Sequence, residues 1–157
     1  MREGLLAEIE RAMQPLADRF GLRVKEEVDR SDFAEAVYVN ETTGLSVSVD
    51  WSEFRPFVRL HQLVDGALPP EPVSYATGPQ LRSFDADDLL IVRAGGGSPV
   101  GKMLGERDNY AAARLVAEYA KALERHATDV LSGDFTVFEE LDRIVKTRAR
   151  GMTYRNS

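Results

Sequence analysis

The apolar residues of this chain change their spacing at Gly21, and that change constrains the fold more than any single motif. Before it, Leu5, Ile9, Met13, Leu16 and Phe20 recur every three or four residues, the stripe of an amphipathic helix. Gly21 stands where a left-handed C-cap closes such a helix. Pro15 deletes the hydrogen bond to the Arg11 carbonyl, so a kink or break is expected near Gln14. After Gly21 the period is two. Leu22, Val24 and Val28 alternate with Arg23, Lys25 and Glu27, and Phe33, Val37 and Val39 alternate with Ala34, Ala36, Tyr38 and Asn40. Leu45, Val47, Val49 and Trp51 then alternate with Ser46, Ser48 and Asp50, and residues 56–63 read as a fourth strand. The connections at 29–32, 41–44 and 52–55 are short and polar, which forces neighbouring strands antiparallel. Gly44 is expected at the positive-φ position of a bulged hairpin. Residues 1–63 therefore predict one helix and a four-stranded meander.

The pattern dissolves over residues 64–83. Pro69, Pro70, Pro72, Gly78 and Pro79 prevent regular helix, although residues 73–77 can add a short edge strand. A connection this long is unusual inside a compact domain and points either to a functional loop or to an element that the pattern does not reveal. Residues 84–151 read as helical. Asp85 is the expected N-cap, Asp88 falls at the third helical position, and Phe84 with Leu89 has the spacing of a hydrophobic staple. That helix runs to about Arg93 and stops at Gly95. Asp108 or Asn109 opens the next, with Val116, Tyr119, Leu123, Ala127 and Val130 as one buried stripe before Gly133. Thr136 and Glu139 form a capping box ahead of Phe138, Leu141, Ile144 and Val145. Glu139–Arg143 and Asp142–Lys146 are i, i+4 pairs expected on the exposed side. Gly151 closes the helix, and residues 152–157 read as a frayed tail. The whole is one α+β domain: a four- to five-stranded antiparallel meander with N-terminal and C-terminal helices packed on one face.

Composition removes several function classes. The 157 residues include no cysteine, which excludes disulfides, thiolate metal sites and cysteine nucleophiles. Twenty basic and 26 acidic residues give a net charge of −6, against general nucleic-acid binding. No apolar run reaches the ~18–20 residues of a membrane helix, and an acid at Glu3 falls too early for a signal-peptide core, so a cytoplasmic location is expected. No His-x-x-x-His, Glu-x-x-His or calcium-loop frame occurs, so neither a metal nor another cofactor is expected.

The candidate sites are few. Gly96-Gly97-Ser98-Pro99-Val100-Gly101-Lys102 has the frame of a phosphate-binding loop. Met103 stands where the magnesium-holding hydroxyl belongs, Pro99 deletes a backbone donor, and only helix follows, so a flexible connection is the favoured reading. His61 alternates with Leu60, which puts it with Arg59 on the face opposite Val58 and Leu60. If the third strand keeps the same sense, Ser46, Ser48 and Asp50 share that face. A ligand or catalytic site of Asp50, Arg59 and His61 then has His61 as base and Asp50 as its orienter, under a lid formed by residues 64–82. The plainer reading is a polar outer sheet face. His126 reads as a charge at a helix C-terminus. Asp85, Asp87 and Asp88 read first as N-terminal acids complementing the helix dipole. Trp51, Glu53, Phe54 and Arg55, continuing to Phe57, gather aromatic and charged residues at one hairpin tip, which is either the composition of an interface centre or Trp51 and one Phe closing the end of the core. Arg143, Lys146, Arg148, Arg150 and Arg155 collect at the C-terminus, where cations complement a helix end.

The order of these elements resembles a family of small proteins. The helix ending Phe20-Gly21-Leu22, the meander ending near Trp51, the acidic start Phe84-Asp85-Ala86-Asp87-Asp88 and the C-terminal Leu131-Ser132-Gly133-Asp134-Phe135 are similar in layout to bacterial immunity proteins of polymorphic toxin systems and their uncharacterised relatives. That resemblance implies a cytoplasmic inhibitor with a protein partner, such as a basic toxin. The residues themselves, not the resemblance, suggest its surface: Trp51, Glu53, Phe54 and Arg55 for a desolvated aromatic centre, with Asp85, Asp87 and Asp88 to steer a basic partner. A small enzyme or ligand-binding domain around His61 is the alternative, and a self-associating dimer is a third.

Overall fold

The computed structural model describes residues 4–30, 32–50, 55–95 and 109–155. The first apolar stripe forms α1 (Leu5–Phe20), closed by Gly21 at φ 67°. The helix runs through Pro15 without a break, because Met13, Leu16 and Ala17 on either side are buried and hold it in register. The strands β1 (Arg23–Asp29), β2 (Phe33–Val39), β3 (Thr43–Asp50), β4 (Arg55–Gln62) and β5 (Ser83–Asp85) form one antiparallel sheet in chain order. The fifth strand is therefore not at 73–77. Residues 83–85 take the edge, with Phe84 opposite Leu60 and Ser83 opposite His61. The helices α2 (Ala86–Ala94), α3 (Asn109–His126), α4 (Thr128–Leu131) and α5 (Val137–Arg155) complete an α+β fold.

One core lies between the helices and one sheet face. Leu45, Val47 and Val49 meet Val58 and Leu60 across the β3–β4 ladder and pack against α1, α2 and α3. Phe84 packs edge-on against Phe138 of α5, with ring centroids 4.7 Å apart. β2 takes the opposite phase from the alternation read around Val37 and Val39. Ala34, Ala36 and Tyr38 enter the helix-side core, whereas Val37 and Val39 are buried on the other face. β1 departs further. It is an edge strand, its register shifts between Val24 and Glu26, and Val24 is exposed.

Several ends differ from their sequence signals. α3 and α4 are separate because Ala127 leaves helical geometry at φ −124°. Arg93 holds that junction, donating to the His126 carbonyl and to both carboxylate oxygens of Asp129 at 2.6–2.7 Å. The Thr136 hydroxyl donates to Asp134 at 2.6 Å instead of closing a capping box, and α5 continues through Gly151 to Arg155. Gly44 does not have positive φ. Its lack of a side chain serves a close approach, since a Cβ there would stand 2.7 Å from Leu68 Cδ2. Asn40 joins sheet to helices: its amide donates to the carbonyls of Phe20 and Leu131, and its oxygen accepts from the Thr42 and Thr43 amides.

Candidate functional site

Strand register assembles a polar row on the face opposite the core. Glu26 pairs with Val37, Val37 with Ser46, Ser46 with Arg59, and Arg59 with Asp85, one residue from each strand. The next row brings Gly44, His61 and Ser83 together, and Glu35 lies on the same face beside Val37. A half-exposed sheet would leave these groups in water. Here Val37, Ser46 and His61 are buried, because residues 64–82 cross over them.

The crossing segment has its own anchors. A tight turn bonds Val64 to Ala67, with Asp65 and Gly66 at positive φ. Leu68 then settles over Gly44, where a larger residue would lift it. At the far end α5 takes hold. The buried Lys146 ammonium donates to the carbonyls of Gly78 and Pro79 at 2.8 and 3.1 Å, Asp142 accepts from the Leu81 amide at 2.8 Å, and Arg150 donates to Ala76. The Asp142–Lys146 pair thus forms at 3.0 Å, nearly buried rather than on the solvated side expected. Between segment and sheet lies a cleft of about 840 Å³, with Val64, Leu68, Pro69, Pro70 and Pro72 in its wall. A side cavity of about 270 Å³ adjoins it across Arg59, Tyr75 and Ser83.

His61 sits at the floor. Ser46 Oγ is 2.9 Å from its Nε2 and Ser83 Oγ is 2.7 Å from its Nδ1. A neutral imidazole donates through one nitrogen and accepts through the other, so the three side chains form a one-directional chain. Burial, reinforced by the Arg59 cation, pushes the imidazole down to about 4, although Glu71 opposes this. His61 is neutral at pH 7, a hydrogen-bonding group and a weak base. Arg59 keeps a loose ion pair with Asp85 at 3.7 Å, and its Nε is buried without a hydrogen-bond acceptor. The Tyr75 hydroxyl donates to Glu71 at 2.6 Å, which raises its own pKa.

The expected sites divide accordingly. His61 and Arg59 share the cleft, as alternation predicts, and residues 64–82 line it from the other side. Asp50 is not with them. It stands opposite Arg55 at the other end of β3, six residues from the Gly44 that faces His61, or about 20 Å along a strand. The orienting role falls to Ser46 and Ser83. Asp85 makes no side-chain cap, and faces Arg59 while burial raises its carboxyl pKa. Asp88 receives both Arg148 donors at 3.0 Å, and Asp87 accepts from the Tyr119 hydroxyl at 2.8 Å. All three acids thus have partners inside the molecule. Trp51, Glu53, Phe54 and the Gly96–Lys102 loop lie outside the described residues. Arg55 lies over the Phe57 ring at 5.0 Å. Sequence reasoning missed Glu26, Glu35, Glu71, Tyr75 and Ser83. Glu35 was accessible from its phase with Val37, while the lid residues carry no period. No group of three metal-ligating side chains occurs among the described residues.

Comparisons with family models, with curated proteins and with solved structures give no significant match to this chain.

Proposed function

We propose that this chain binds a small amphipathic organic molecule in the cleft between its sheet and residues 64–82. The observation that carries this is the composition of the cleft: a hydrogen-bonding floor of Ser46, His61 and Ser83 beneath a proline- and leucine-lined wall. Such a site orients a ligand by a few polar groups while its body is desolvated by carbon. Binding is favoured over catalysis because His61 is a weak base with both nitrogens occupied and no carboxylate behind it. The test is a ligand-observed NMR screen of fragments against the chain and against Ser46→Phe, which fills the floor. Fragments should perturb the His61 and Tyr75 side-chain signals and lose contact in the variant. Hits that bind both proteins alike would remove the cleft from the function.

A second reading, a cytoplasmic immunity-type inhibitor of a basic toxin, has support from one surface feature and the net charge of −6. Phe57 is 39% exposed at the start of β4 with the Arg55 guanidinium over its ring, an aromatic–cation pair of the kind found at interface centres. Among the described residues no helix is long and apolar enough to cross a membrane, which is compatible with a cytoplasmic setting. Co-purification from the native host, read with neighbouring genes, tests this reading. A toxin-like partner should dissociate faster from Phe57→Ala; a complex unchanged by that variant places the interface elsewhere.

A further inference from the structure

The cleft separates its charges by strand. Glu26 and Glu35 stand at the β1–β2 end, Arg59 and Arg82 at the β4–β5 end, and the third cleft carboxylate, Glu71, lies on the crossing segment and accepts from Tyr75. Glu26 is opposite Val37 and Glu35 opposite Val28, so the two carboxylates are diagonal neighbours on one face. Arg59 is three strand spacings from Glu26, about 14 Å, and already faces Asp85. Lys25, next to Glu26 in the chain, turns to the Gly66 carbonyl at 3.4 Å. Among the described residues neither Glu26 nor Glu35 has a hydrogen-bond or ion-pair partner. Burial, with the charge of Glu26 added, raises the Glu35 carboxyl above its ordinary range, as expected of a carboxylate lacking a counter-charge.

Resting on the reading of the cleft as a ligand site, we infer that its occupant is an organic cation, with an ammonium head between Glu26 and Glu35 and an apolar body against Val37, Leu68 and Pro69. A bare metal ion would leave the carbon wall unused and finds only two carboxylates at this end. An anion would meet uncompensated negative charge there; at the other end Arg59 is already shared with Asp85 and Glu71 lines the same cleft, which leaves only the exposed Arg82 to hold it.

Three probes with one apolar body test the head group: 4-phenylbutylamine, 4-phenylbutanol and 4-phenylbutyrate, each titrated calorimetrically into the full chain near neutral pH. The amine should bind about tenfold tighter than the alcohol, and the carboxylate weakest. Glu35→Gln and Glu26→Gln should each weaken the amine about tenfold and leave the alcohol unchanged. A carboxylate that binds as tightly as the amine, or an amine indifferent to both variants, overturns the inference. If the alcohol still binds and Ser46→Phe abolishes it, only the head-group assignment falls and the cleft stands. If none of the three probes binds, both fall.

Discussion

Lys146 Nζ stands 2.8 Å from the carbonyl oxygen of Gly78, so the last helix holds down the segment that roofs the cleft. The same ammonium donates to Pro79 and pairs with Asp142, and its residue is only 9% exposed. Lys146→Met keeps the stem but removes every donor and leaves Asp142 without its cation. A loss of about 2–4 kcal/mol is expected, since breaking a nearly buried pair uncovers the remaining charge. Urea unfolding measures the total. Hydrogen exchange locates it: amides of residues 76–82 should speed up more than those of β3, and a uniform acceleration would contradict the strap role.

His61 gives the cleft a pH dependence. Its folded value of about 4 lies below the ordinary 6.5, so between these values the unfolded chain binds a proton that the folded chain refuses. Stability therefore rises with pH across that window and is lost as pH falls from about 6.5 towards 4, by roughly 3 kcal/mol from this group. Carboxylates titrate over part of the same range, so the informative quantity is the difference between the protein and His61→Gln. That difference should shrink as the pH is lowered. A constant difference would mean that the imidazole takes up its proton at the same pH in the fold as in the unfolded chain.

How much of this was legible in the sequence follows from what each residue answers to. The β3 and β4 phases were readable because Leu45, Val47, Val49, Val58 and Leu60 face a single helix-side core. β2 misled because both its faces are buried: Ala36 under helices and Val37 under the lid, so apolar alternation carries no sign. The Asp85 cap and the Thr136 box were plausible local chemistry overruled by Arg59 and Asp134. His61 and Arg59 were placed together by period alone. Asp50 was not excluded, because alternation fixes a face and says nothing about distance along the strand. The lid's anchors, Lys146 to Gly78 and Leu68 over Gly44, are long-range contacts that no local pattern encodes.

Gly44 tests the seat of the lid. A Cβ at this position would stand 2.7 Å from Leu68 Cδ2 and 3.1 Å from Leu63 Cδ2, both flexible side-chain ends. Gly44→Ala should therefore cost about 1 kcal/mol, because the leucines shift, and Gly44→Val about 2–3, because they cannot shift far enough. Thermal denaturation gives the magnitudes. Binding of a cleft ligand should weaken in the same order, and an alanine variant with unchanged stability would show that Leu68 does not rest there.

Asn40 tests the joint between sheet and helices. Asn40→Asp keeps the acceptor for the Thr42 and Thr43 amides but turns both donor bonds, to Phe20 and Leu131, into contacts between oxygens. About 2–4 kcal/mol should be lost near neutral pH, and part should return in acid as the new carboxyl gains a proton. Loss without any recovery in acid would assign the damage to altered packing instead of to the lost donors.

Glu35 links stability to the proposed occupant. Its carboxyl pKa is raised, so the folded chain holds this proton more firmly than the unfolded one. The resulting stability is present at low pH and disappears as pH rises above the ordinary 4.5 through the folded value. Near neutral pH the ionised group thus opposes folding, and Glu35→Gln should stabilise the chain by up to about 0.5 kcal/mol once solvent screening is allowed for. Below pH 4 that gain should vanish, because both side chains are then neutral. The same substitution is expected to weaken amine binding, so a more stable, poorer binder is the predicted phenotype, the usual trade at a site that keeps an unfavourable charge for its ligand. Chemical denaturation at several pH values, run beside the amine titration, decides it. A variant destabilised at neutral pH would mean that Glu35 is already compensated in the fold.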